Sequence, residues 1–167
     1  MFNKSNVCEF SFQYDVIKKN FPEAQLLFTD TDSLYYYVER EDFEADLYKL
    51  KEYFDYSGYK EVDGKPHPYF NNDHKLEVGK FKCETGGVPI VEFVGLRPKM
   101  YSYIFKDYSD PNAMTIEKNK IKGIARSAAR DLRHQMYLDQ VTSPKENYIM
   151  NKRIGSKLHE LYSYSVV

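Results

Sequence analysis

Asp30 and Asp32 stand one residue apart in the run Asp30-Thr31-Asp32-Ser33, between residues 26–29 and 34–38, which are apolar, aromatic and β-branched. Two such runs separated by four residues read as strands joined in a tight hairpin. A two-residue turn favours Asn-Gly or Asp-Gly, and β-branched Thr31 is poorly suited to positive φ. Local turn chemistry is set aside here, as happens at functional sites. The hairpin tip then carries neighbouring carboxylates whose repulsion is costly without a cation. Hard oxygen donors favour Mg2+, with Mn2+ as a substitute. Magnesium takes one or two carboxylates and completes its shell with water and substrate phosphates. That chemistry is phosphoryl transfer, in which paired ions steady the attacking and leaving oxygens.

Other chemistries share an Asp-x-Asp. An EF-hand loop would use Asp30, Asp32 and Glu41 as its first, third and twelfth positions. Leu34 and Tyr35 then fall where an oxygen ligand and a glycine are needed, which excludes it. A phosphatase of the haloacid dehalogenase type and a nucleotide-sugar transferase both place Asp-x-Asp after an apolar strand and stay open as enzyme alternatives. A solvated acidic turn needs no function at all.

The elements that must hold this tip follow from patterning. The 167 residues, 42% hydrophobic and 29% charged, suit a soluble chain with a real core. No apolar run is long enough to span a bilayer and no signal peptide is evident, so no membrane partner is expected and the reading is intracellular. Cys8 and Cys83 form no CxxC pair. Phe10, Tyr14, Ile17 and Phe21 predict a helix over 6–19. Asp42 caps a second helix with the stripe Phe43, Leu47, Leu50 and Phe54. Residues 56–72 read as a surface loop, and strands are expected at 76–82, 88–94, 99–105 and 114–121. Residues 76–82 and 88–94 are expected to join through Gly86-Gly87. Helices follow at 128–141 and 152–161, and 162–167 alternate like a strand that stops abruptly, as a truncated reading frame would. The class is α+β with an antiparallel sheet. Acidic residues crowd 30–63, and Lys and Arg are in excess from Lys75 onward.

Residues 26–34, Leu-Leu-Phe-Thr-Asp-Thr-Asp-Ser-Leu, resemble motif C of the family B DNA polymerases, in which Asp-Thr-Asp-Ser caps a hairpin of the catalytic palm. Gly-Lys-Phe-Lys-Cys-Glu at 79–84 and Glu-Phe-Val-Gly-Leu-Arg-Pro-Lys-Met-Tyr at 92–101 resemble the protein-primed branch, and Lys99-Met100-Tyr101 matches its Lys-x-Tyr motif. Cys83 departs from the Asp usual in transposon-encoded relatives.

The resemblance implies a partial palm over 1–123, an antiparallel sheet with its catalytic hairpin and flanking helices, and the start of a helical thumb over 124–167. It implies that Asp32 ligates metal, with Asp30 ligating directly or through water. Lys99 and Tyr101 would hold the primer end, and Lys122-Gly123 would lead from palm to thumb. Lys118, Lys120 and Lys122 alternate on a strand, and Arg126, Arg130 and Arg133 recur at helical spacing, together a basic track for phosphates. His134 and His159 are given no chemistry. The implied partners are template-primer DNA, deoxynucleoside triphosphates and a terminal protein primer, in the nucleus or another DNA-containing compartment. The family's upstream Asp-x-x-Ser-Leu-Tyr-Pro motif, its fingers lysine and its exonuclease acids are not in the sequence, so half a metal site is expected, and a non-catalytic DNA-binding remnant of a mobile element stays open as the alternative of another class.

Overall fold

The computed structural model describes residues 9–59, 61, 65–106, 115–125, 129–146, 148 and 150–166. The class is α+β, with few helices and mostly antiparallel strands. The chain divides into two compact units, Met1–Ile90 with Phe105–Ile116, and Val91–Ile104 with Glu117–Val167.

In the first unit, helix α1 passes from a π-helical stretch, Phe12–Ile17, into ordinary α-helix at Lys18–Asn20. The i→i+5 bonding widens the turn and rotates the inward face. Phe12, Val16, Ile17 and Phe21 are buried with Ala24. Phe10 and Tyr14, expected on that face, are instead 57% and 64% exposed. The end is held by the Phe21 amide on the Ile17 carbonyl at 2.7 Å and by Asn20 Nδ2 on the Val16 carbonyl at 2.8 Å.

Strands β1, Gln25–Asp30, and β2, Ser33–Tyr37, form the expected hairpin. Leu34 and Tyr36, with Val38 just beyond, alternate onto α1. Opposite them, buried Tyr35 meets Phe28 edge-on at 6.2 Å. Asp42 caps helix α2, Phe43–Tyr48, by accepting the Ala45 amide at 3.0 Å. Phe43, Leu47, Leu50 and Phe54 all pack on α1, as the stripe predicted. Fully burying side chains of this kind is worth about 1.5–3 kcal/mol each.

Two expectations fail in this unit. Residues 76–82 are not a continuous strand: only β4, Phe81–Lys82, pairs, and it runs parallel to β3, Phe54–Asp55. Leu76 and Gly79 have φ of 60° and 89°, which breaks extension, and Leu76 and Val78 are 83% and 99% exposed. Gly86-Gly87 accordingly joins no hairpin of the expected kind. The supposed surface loop 56–72 is partly core. Tyr56, Tyr59 and His67 are buried, and Tyr48 stacks on Tyr69 at 4.6 Å. Aromatic packing overrides the Gly and Pro punctuation there.

A three-stranded sheet is ordered β5, Ile90–Arg97, β6, Met100–Lys106, and β7, Thr115–Ile121, and the second unit takes the part of it over Val91–Arg97, Met100–Ile104 and Glu117–Ile121. β6 and β7 lie within one residue of the expected 99–105 and 114–121, and Met114 lies outside the described residues. Helix α3, His134–Thr142, starts later than the expected Ala128. Arg133 is extended, with φ −127° and ψ 153°. Its guanidinium donates to the carbonyls of Arg130 and Leu132 at 2.7 and 2.8 Å, and the Glu117 carboxylate accepts the His134 amide. Those contacts set the helix start. Residues 152–161 are not helical: β8, Asn151–Lys157, and β9, Glu160–Val166, make an antiparallel hairpin. Its turn residues Leu158 and His159 have φ of 52° and 67°, the left-handed pair that matches strand twist.

Candidate functional site

The β1–β2 tip pairs Asp30 with Ser33 and leaves Thr31 and Asp32 as the turn. The Asp32 amide donates to the Asp30 carbonyl at 2.6 Å across Thr31, whose φ is 59°. A γ-turn of positive φ is a rare and strained form. The Thr31 hydroxyl lies 3.5 Å from Asp30 Oδ1. Asp32 is exposed and Asp30 half-buried. The register slips between Leu26 and Phe28, a bulge at Leu27 that re-aims the outer part of the strand.

Below the tip, the Tyr36 hydroxyl donates to Gln13 Oε1 on α1, and burial pushes the phenol up to about 12. The hairpin is therefore tied to a rigid neighbour by a side chain that stays protonated. Glu9 is the acidic residue that pattern reading overlooked. Loss of solvent and then the charge of Asp32 push its carboxyl up, and its buried Oε1 has no hydrogen-bond partner among the described residues. Nothing in the sequence around Glu9 signals this, because the proximity arises from α1 folding back on the hairpin.

The donor set can be tested against magnesium by its chemistry. Carboxylates flank one turn, Asp32 is open to solvent, and a third acidic group feels its field. That suits an ion that keeps waters and takes few protein ligands. Among the described residues, no cluster of three or more His, Cys, Asp or Glu side chains is placed to hold a metal.

In the second unit, Lys99 is the left-handed residue of the β5–β6 turn, with φ 61°, and its carbonyl accepts the Lys122 amide at 3.1 Å. Two expected primer-binding residues are thus brought together by backbone. Gly123 follows at φ 92°, and a Cβ there would meet no atom within 4 Å, so backbone conformation alone asks for glycine. Tyr101 is 2% exposed, its ring stacked with Phe93 at 5.9 Å and Tyr103 at 6.4 Å. It packs the sheet.

Glu117 and Asn119 of β7 turn toward the start of α3, so Lys118 and Lys120 fall on the opposite side, and Lys122 lies just beyond the strand. Arg130 and Arg133 do not share the helix face expected of them. Arg130 lies in a turn, Arg133 is extended, and Arg126 lies outside the described residues.

The comparisons were negative. The chain matches no family model, no curated protein and no solved structure. No helix among the described residues is long and apolar enough to cross a membrane. At Cys83 the sulfur accepts the Gly87 amide at 3.3 Å and lies 3.2 Å from Thr85 Oγ1.

Proposed function

We propose that this chain is part of a DNA-directed DNA polymerase of the protein-primed family B branch, with the β1–β2 turn as its metal-binding tip. The observation carrying this is the strained γ-turn at Thr31, which presents Asp30 and Asp32 on either side of one backbone hydrogen bond. Strain of this kind persists where the surroundings over-determine it, typically at ligand clamps and active sites. Residues 1–123 correspond to palm and 124–167 to the start of a thumb, whose last part is the β8–β9 hairpin.

Asp32, with Asp30, would hold Mg2+ or Mn2+, which when bound neutralises charge on the phosphates during nucleotidyl transfer. The chain's own task is positioning. The α1 contacts of β2 fix the tip, and the Lys99–Lys122 link presents cations suited to a sugar-phosphate backbone, which carries no sequence information. Template-primer DNA and deoxynucleoside triphosphates are the partners on this reading, with a terminal protein as primer in a DNA-containing compartment. Two carboxylates without a third from an upstream motif make weak binding and no turnover, so the isolated chain is expected to be inactive.

Manganese titration followed by water-proton relaxation tests the metal role. Weak binding that disappears in Asp32→Asn supports it, and binding unchanged in both Asp32→Asn and Asp30→Asn overturns it. Within a longer chain supplying the upstream carboxylate, Asp32→Ala should abolish primer extension and preserve template binding, since it removes stabilisation specific to the transition state.

A further inference from the structure

The β8–β9 hairpin is exposed along nearly its whole length, including Ile154 at 78%, Leu161 at 77%, Tyr162 at 50% and Tyr164 at 43%. An isolated two-stranded hairpin is marginal in water, so its surface chemistry needs a reason. The register supplies one. Gly155 pairs with Tyr162, Arg153 with Tyr164 and Lys157 with Glu160, and alternation places all of these on one face. The two tyrosine rings lie 5.8 Å apart at 40°.

Gly155 is the floor beneath them. A Cβ at that position would meet Tyr162 Cζ at 2.9 Å, Tyr162 Oη at 3.1 Å and Tyr164 Cε1 at 3.1 Å. The rings therefore lie down across the glycine backbone and leave their outer sides to solvent. Arg153 and Lys157 share this face with Glu160, the single carboxylate of the hairpin, while Lys152 lies on the other face.

We infer that this face is a stacking platform for single-stranded nucleic acid, with bases on Tyr162 and Tyr164 and phosphates beside Arg153 and Lys157. Flat aromatic rings with cations alongside bind unpaired bases without regard to sequence. A duplex cannot use them, because its bases are already stacked on one another. The platform rests on hairpin residues alone, so Asp32→Asn leaves it unchanged.

The test uses the full 167-residue chain and fluorescence anisotropy with three labelled probes: an oligothymidylate, an abasic strand of the same length, and a duplex. The oligothymidylate should bind about tenfold or more tighter than the abasic strand, from stacking on the rings. Tyr162→Leu and Tyr164→Leu should each reduce that preference, while Tyr164→Phe retains it. Arg153→Ala with Lys157→Ala should flatten the salt dependence for both strands. Equal binding of base-bearing and abasic strands overturns the inference, with no reliance on any variant folding. So does a duplex bound as tightly as the oligothymidylate. A dimer seen by light scattering and dissolved by the Leu variants would assign this face to a second copy of the chain and overturn it as well.

Discussion

Asp32 hydrogen-bonds back to Asp30 at 2.6 Å, and the bond closes only because Thr31 adopts φ 59°. Left-handed backbone costs an L-residue roughly 1–2 kcal/mol. Thr31→Gly removes that cost and adds back about 0.4–1 kcal/mol through the looser unfolded chain. A net stabilisation of about 0.5 kcal/mol is expected from urea denaturation. Manganese binding should weaken in the same variant, because the tip loses the stiffness that holds its carboxylates. Lower stability in the glycine variant would show that the turn is not strained.

Asp55 makes the unit around α1 sensitive to acid. Burial pushes its carboxyl up, but the Ser57 hydroxyl and amide, the Leu76 amide and the Lys82 ammonium outweigh this and hold it down at about 2. The Ser57 and Leu76 amides lie at 2.8 and 3.3 Å, and Lys82 Nζ at 3.6 Å. A carboxylate depressed in the folded state stabilises above its unfolded value near 3.8 and loses that contribution as pH falls toward 2. The contribution is on the order of 2 kcal/mol. Unfolding free energy measured from pH 5 downward, over roughly the window just described, should fall more steeply in wild type than in Asp55→Asn. Parallel slopes would refute the assignment.

Glu117 ties α3 to the sheet. It accepts the His134 amide and Asn119 Nδ2, the latter at 2.7 Å, while Asn119 also donates to the Leu132 carbonyl at 3.0 Å. Ser102, fully buried, reaches both Asn119 Oδ1 at 2.6 Å and His134 Nδ1 at 2.7 Å. Glu117→Ala removes the acceptor of two partly solvent-accessible donors and should cost about 0.5–1.5 kcal/mol. Glu117→Gln keeps one acceptor oxygen and should recover part of it. Thermal denaturation of the two variants side by side decides whether the carboxylate is the cap.

Phe12 anchors the first unit through its stack on Phe81 at 4.0 Å and its edge contact with Phe54 at 5.6 Å. Phe12→Ala should cost about 3–5 kcal/mol, whereas Phe10→Ala, two residues away and exposed, should change stability by less than about 0.5 kcal/mol. Equal losses would return α1 to the regular helical register that periodicity suggests.

Several features were legible in the residues alone because their causes act within a few positions. The Asp30–Ser33 hairpin follows from β-branched and aromatic alternation around a polar break, the α2 cap from the reach of Asp42 to the Ala45 amide, and β6 and β7 from period-two patterning. The same local rules misplaced other elements. The inward face of α1 depends on a π-helical widening, and the start of α3 on Glu117 and Asn119, more than a dozen residues away in sequence. The β8–β9 turn uses Leu158 and His159, neither a turn-forming type, so only strand pairing reveals it. Glu9 meets the field of Asp32, and Tyr101 disappears into a stack, through contacts between segments that no spacing in the chain encodes. Backbone propensity and alternation are read from neighbours, but proximity between distant side chains exists only once burial has closed each unit upon itself, in the first unit around Phe12, Ile17 and Phe21.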